Sequence, residues 1–289
     1  MVVLTALLFA VQSQADAFQG IILSNLMCFV VYTTKLKDDI LLVQSTNHPP
    51  SVPPPTLPQS VSMFLAKACG IASNEQIHLC WELLSDMIWN DEPVISAERE
   101  HAAFAEHGHG LRITSHTLYP AQHVYLNTNC THSKQKMLTK AEQRQAVLVT
   151  MDGVFPVWSV HLYCPDRKIN YHHNYYVGDG QCVYYDTVPE IIQVGEHQYV
   201  EQSVINMFIT LMLVSWTSAT NCAWMYNLML SKRHQSPPDW AFNFELSSDN
   251  VYDGFVVLSL LEDHARHNDT LKVPHTELQK DCLCAAMKG

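Results

Sequence analysis

The amino-acid sequence predicts an α+β chain that is mainly helical, with a small antiparallel sheet in the middle of the chain. Three observations carry that expectation. Between Val61 and Trp89 the apolar residues recur at spacings of three and four, the period of an amphipathic helix. After Arg112 the text turns rich in Val, Tyr, Thr and Trp, with turn signals at Asp152-Gly153 and Gly178-Asp179-Gly180. From Glu201 the helical pattern returns.

Taken in order, residues 1–43 alternate apolar and small polar positions at helical spacing and predict one or two helices ending near Lys35 to Asp39. Residues 44–60 hold Pro49, Pro50, Pro53, Pro54, Pro55 and Pro58, which lack backbone donors and force an extended linker or strap. Residues 61–111 form a helical part. There, Phe64, Leu65, Ala68 and Ile71 mark one helix, and Leu79, Leu83, Leu84, Met87 and Ile88 a second, with Ser73-Asn74-Glu75 as the turn and cap between them. Residues 112–200 form a β-rich module, with strands over His116 to Val124 and Ala146 to Tyr163. Hairpins are expected in LVTMDGVFPVWSVHLYC and YHHNYYVGDGQCVYYD. Within this module TKAEQRQAV reads as a short helix from Thr139, with Glu142 at the capping-box position. Residues 201–289 read as helices over Glu201 to Leu230, Ser247 to Arg266 and Glu277 to Met287, interrupted by Pro237-Pro238.

Composition bounds the function. A chain of 289 residues with 47% hydrophobic content has enough apolar mass for a real core. Its net charge of −11 argues against a surface that grips nucleic acid everywhere. Cations concentrate at 112–168, where Arg112, Lys134, Lys136, Lys140, Arg144, Arg167 and Lys168 face only Glu142, Asp152 and Asp166. The most apolar stretch, residues 204–216, is too short for a membrane span of about 20 residues. Nine scattered cysteines make no disulfide framework and fit a reducing, intracellular compartment. The N-terminal apolar stretch ends in Ala15-x-Ala17 but lacks a basic start, which argues against secretion.

The chemistry-bearing text lies around two cysteines. Cys130 has Tyr125 five positions before it, and Cys164 has Arg167 three positions after it. With Cys in place of Tyr125 and Arg167, the string would be a two-knuckle zinc signature, and hairpins that deliver ligands at their turns are how a zinc-ribbon-like sheet is built. Two alternatives stay open. In one, Cys130 and Cys164 recruit His172 and His173 for a Cys2His2 site holding Zn2+. In the other the metal is lost in this copy, both thiols are free, and Tyr125, Trp158, Tyr163, Tyr171 and Tyr175 pack the sheet. Arg167 weighs against metal, because a guanidinium brings fixed positive charge to a cation site. Lys134, Lys136, Lys140 and Arg144 are the candidate nucleic-acid contacts, close enough along the chain to follow one stretch of phosphate backbone.

Enzyme signatures are sparse. The chain holds no HExxH, no P-loop and no Gly-x-Ser-x-Gly. His107-Gly-His109 reads as a solvated loop, and Asp253-Gly254-Phe255 matches a kinase motif by letters alone. No catalytic residues are assigned and no small-molecule substrate is evident.

The phrases AEQRQAVLVTMDGVFPVWSVHLYC followed by YHHNY, IIQVGEHQYVEQ, LVSWTSATNCAWMYN, YDGFVVLSLLEDH and VPHTELQKD resemble the cysteine-cluster (CxC, type five) domain associated with KDZ transposases of mushroom-forming fungi. The resemblance implies cysteines at the positions held here by Tyr125 and Arg167, with Cys130 and Cys164 matching. It further implies a non-catalytic accessory module of a KDZ-type transposon, truncated or isolated, acting in the nucleus on DNA or a transposase domain. The rivals are a cysteine-based or metal-dependent enzyme centred on Cys164 and His172, and a metal-free protein-interaction scaffold.

Overall fold

A computed structural model describes residues 18–90, 98–124 and 138–275, together with residues 9, 12–13, 282–283 and 286–287. Tyr125, Cys130, Lys134 and Lys136 lie outside the described residues, as does most of the helix expected over 277–287. The chain divides into two compact units, one of residues 1–115 with 124–139, the other of 116–123 with 140–289.

The first unit is helical. Its elements are α1 (Leu23–Lys35), α2 (Lys37–Leu41), α3 (Gln59–Cys69), α4 (Asn74–Asn90), α5 (Glu98–His107) and a 3-10 turn at His109–Leu111. Gly70 ends α3 in the left-handed conformation (φ 66°), and the Asn25 side chain donates to the Cys69 carbonyl that this turn exposes. At the core, Phe64 stacks on Phe104 with centroids 4.7 Å apart, and Tyr32 meets both edge-on. The proline-rich segment is a strap rather than a free linker. Trp81 and Trp89 of α4 donate their indole N–H groups to the carbonyls of Pro54 (2.8 Å) and Pro50 (2.9 Å). Prolines suit this role, since a segment without donors still offers every carbonyl.

The second unit corrects the expected fold. In place of a small antiparallel sheet in a mainly helical chain, it builds a curled, mixed sheet of nine strands. These are β1 (Thr117–Leu118), β2 (Thr139–Thr150), β3 (Gly153–Cys164), β4 (Ile169–Tyr171), β5 (Tyr175–Gly178), β6 (Gln181–Tyr184), β7 (Ile191–Gly195), β8 (Gln198–Glu201) and β9 (Lys272–Pro274). Their order is β7-β8-β2-β3-β4-β5-β6-β9, with β1 parallel to β3. Non-local pairing makes the difference. The β7–β8 hairpin docks parallel to β2, matching Leu148 with Tyr199, and β9 returns from far along the chain to pair with β6.

TKAEQRQAV is strand, not helix. Ala, Glu, Gln and Arg favour helix locally, but β2 has strand partners on both sides, and sheet context overrides a propensity of a few tenths of a kcal/mol per residue. Its alternation serves two layers. Val147 and Val149 join Val154, Val200, Val204 and Phe208, whereas Ala146 and Leu148 join Phe155, Val157 and Tyr199. The first layer is completed by α6 (Gln202–Ser215), α7 (Ala219–Met229) and α8 (Ser248–Arg266). A single helix was expected over Glu201 to Leu230, yet the chain breaks at Trp216, which has φ 55°.

Both expected hairpins form. At the β2–β3 turn the Tyr226 hydroxyl lies 2.6 Å from the carbonyl oxygen of Thr150 and 3.0 Å from that of Gly153. Gly153 has φ 131°, and a Cβ there would sit 2.9 Å from the His234 ring. Among the described residues no helix is long and apolar enough to cross a membrane.

Candidate functional site

The second unit holds a half-open cavity of about 510 Å³. Strand β2 supplies Glu142 and Arg144, β3 supplies His161, and β4 with the turn after it supplies Asn170 and His172. Tyr175, Cys182 and Tyr184 come from β5 and β6, and Gln193 and Glu196 from β7 and its turn. Val273, Pro274, His275, Cys282 and Leu283 close it from the C-terminal side.

Strand register explains the grouping. In the β3–β4 ladder Leu162 pairs with Tyr171 and Tyr163 with Asn170, so His161 and His172 project from one face and their rings lie 4.1 Å apart. Cys164, paired with Ile169, projects from the opposite face and is buried. Asn174 fixes the loop after β4. Its side chain accepts from the Gln193 N–H (2.7 Å) and donates to the Ile191 carbonyl (2.8 Å), joining the His172 loop to β7.

The charged side chains of the lining are well exposed and largely paired. Arg144 Nε lies 2.7 Å from Glu142, and a second guanidinium nitrogen lies 3.6 Å from Glu196. The hydrogen bond from Arg144 holds the Glu142 carboxyl below its usual range. Burial, and then the Arg144 charge, lowers His161. His172 is pushed down to about 3 by burial, with His161, His275 and Arg144 adding smaller effects. Cys182 lies 3.1 Å from His275 Nδ1, but burial first and Cys282 second push its thiol up to about 11. At neutral pH His161 and His172 are therefore neutral, and Cys182 is a thiol rather than a thiolate nucleophile. That is a lining suited to binding.

The sequence-derived candidates are scattered. His172 lines the cavity, whereas Cys164 faces away from it, so the structure does not bring those two together for a shared metal or a nucleophile–base pair. His173 is spent on the Tyr119 carbonyl at 2.8 Å. Arg167 is exposed in the turn between β3 and β4, while Cys164 three residues earlier is buried. Among the described residues no group of three or more His, Cys, Asp and Glu side chains is arranged to hold a metal. Of the proposed nucleic-acid contacts, Lys140 donates to Gln143 (2.9 Å) and Arg144 lies in the cavity between two carboxylates. The reading of the sequence missed Glu196, Gln193, Tyr184, Cys182 and His275 as site residues. One signal was present: Gln193 interrupts the apolar run of IIQVG, at a strand position where a polar side chain needs a reason.

Residues 113–230 match the family model described as "CxC5 like cysteine cluster associated with KDZ transposases". The likeness to that family covers this segment of the 289-residue chain. No curated protein and no solved structure matches the chain. The CxC5 segment spans β1 to β8, α6 and α7, while α8, β9 and the C-terminal wall of the cavity lie beyond it. Its cysteines are Cys130, Cys164, Cys182 and Cys222. The three described ones do not converge. Cys164 ends β3 away from the cavity, Cys182 lines the cavity, and Cys222 is buried in the layer of α6 to α8. The donor set does not fit a tetrahedral zinc among the described residues.

Proposed function

We propose that this chain is a non-catalytic accessory module of a KDZ-type transposon that works in the nucleus by binding protein, its partner a transposase domain. The association of CxC5 domains with KDZ transposases sets the context. The observation that carries the reading is Trp216, 92% exposed at the left-handed end of α6. A left-handed position favours glycine, and a non-glycine residue there costs about 1 kcal/mol. The left-handed backbone of Trp216 closes α6, the Thr217 N–H donating to the Leu211 carbonyl, but its large apolar ring is left in water.

The same end of α6 exposes Leu213 and Val214, and the neighbouring α7 exposes Trp224 and Leu228 one turn apart. Tryptophan is among the residues that anchor protein interfaces. The nucleic-acid alternative has less support, since Arg144 is engaged by carboxylates and the chain is acidic.

The test is calorimetric titration of the full chain with the transposase domain of a KDZ element, alongside the variant Trp216→Ser with Trp224→Ser. Micromolar or tighter binding that weakens at least tenfold in the variant is expected. No binding, equal binding by the variant, or binding only to duplex DNA with a steep salt dependence would overturn the reading.

A further inference from the structure

We propose that the cavity of the second unit is a binding site for an organic cation of the ammonium or guanidinium class. The inference stands independently of the apolar helix ends and rests on three features of the cavity wall.

The first is an acceptor without a donor. Gln193 is 8% exposed, and its Oε1 is buried with no hydrogen-bond partner. The amide cannot simply be turned over, because its Nε2 donates to the Gly195 carbonyl at 3.1 Å. A buried carbonyl oxygen left unsatisfied is destabilising, and an N–H donor brought to Gln193 by a ligand would relieve it.

The second is charge. Two carboxylates, Glu142 and Glu196, face one guanidinium, Arg144, and the described lining residues include no lysine. Neutral His161 and His172 add nitrogen acceptors rather than positive charge. An anion would have to displace Arg144 from its carboxylates, whereas a cation completes the balance.

The third is the aromatic wall. Tyr175 stacks on His172 at 4.8 Å and packs against Tyr184 at 5.3 Å, so three rings contribute to the wall that also holds the carboxylates. A cavity of 510 Å³ suits one small molecule or one long basic side chain.

The source of the cation is separable by experiment. The full chain is titrated by calorimetry with agmatine, with a blocked peptide carrying a central arginine, and with inorganic phosphate as the anion control. Saturable binding of agmatine, the peptide or both, with none of phosphate, is the expected result. Agmatine alone points to a free small cation, and the peptide alone to a partner's side chain. Glu196→Gln and Gln193→Met should each weaken binding at least fivefold while leaving the circular-dichroism spectrum and thermal midpoint within about two degrees. Absence of both cations up to ten-millimolar levels, preference for phosphate, or unchanged affinity in both folded variants would overturn the proposal.

Discussion

Trp81 and Trp89 in the first unit and Trp216 and Trp224 in the second are the same side chain placed on or beside helices, and they are used in opposite ways. The first pair turns inward onto the strap, its indole N–H groups spent on proline carbonyls. The second pair faces solvent, 92% and 64% exposed. Where an aromatic residue closes a core, its energy goes into folding. Where it is held outward, at a backbone angle that disfavours it, the energy is available to a partner.

The largest effect expected from this contrast is on stability. Trp81→Ala removes a buried ring together with the bond that holds the strap, and should cost about 3–5 kcal/mol in denaturant unfolding of the first unit. Trp224→Ala should cost less than about 1 kcal/mol. Equal losses from the two substitutions would break the comparison.

An intermediate effect is expected in acid, and it sharpens the contrast by probing the cavity rather than a packed core. His172 sits at about 3 in the folded chain against an ordinary 6.5. The unfolded chain therefore binds a proton that the folded one refuses between those values. Stability attributable to this group is intact above pH 6.5 and falls as pH drops, by up to about 1.4 kcal/mol per pH unit. Denaturant midpoints measured from pH 7 to pH 4.5 should decline, and His172→Gln should flatten that decline. An identical slope in the variant would place the acid sensitivity elsewhere.

The smallest effect belongs to Trp216→Gly. Relief of the left-handed backbone should leave stability unchanged or raise it by about 1 kcal/mol. A loss beyond about 1 kcal/mol on thermal unfolding would mean that the ring packs within the fold, and the contrast between the two pairs would lapse.

Much of the local structure was legible in the residues. The helical period over Val61 to Trp89 appears as α3 and α4, and the two hairpin turns appear where Asp152-Gly153 and Gly178-Asp179-Gly180 stand. These signals are local, because a turn needs particular φ values and a helix needs one apolar face. The CxC5 likeness was legible too, in the phrases between residues 141 and 227, whereas YDGFVVLSLLEDH and VPHTELQKD lie beyond the matched segment. Tertiary structure alone decided the rest. A helix-favouring string became β2 because β3 and β8 pair with it on either side, and a small sheet became a nine-stranded one because β7, β8 and β9 join it from outside its hairpins. Cys164 and His172, near in sequence, were separated by the alternation of β3 and β4 onto opposite faces. Glu142, His161, Gln193 and His275 were gathered into one cavity from distant positions. Long-range pairing sets which residues share a wall, and no local pattern of residues encodes it.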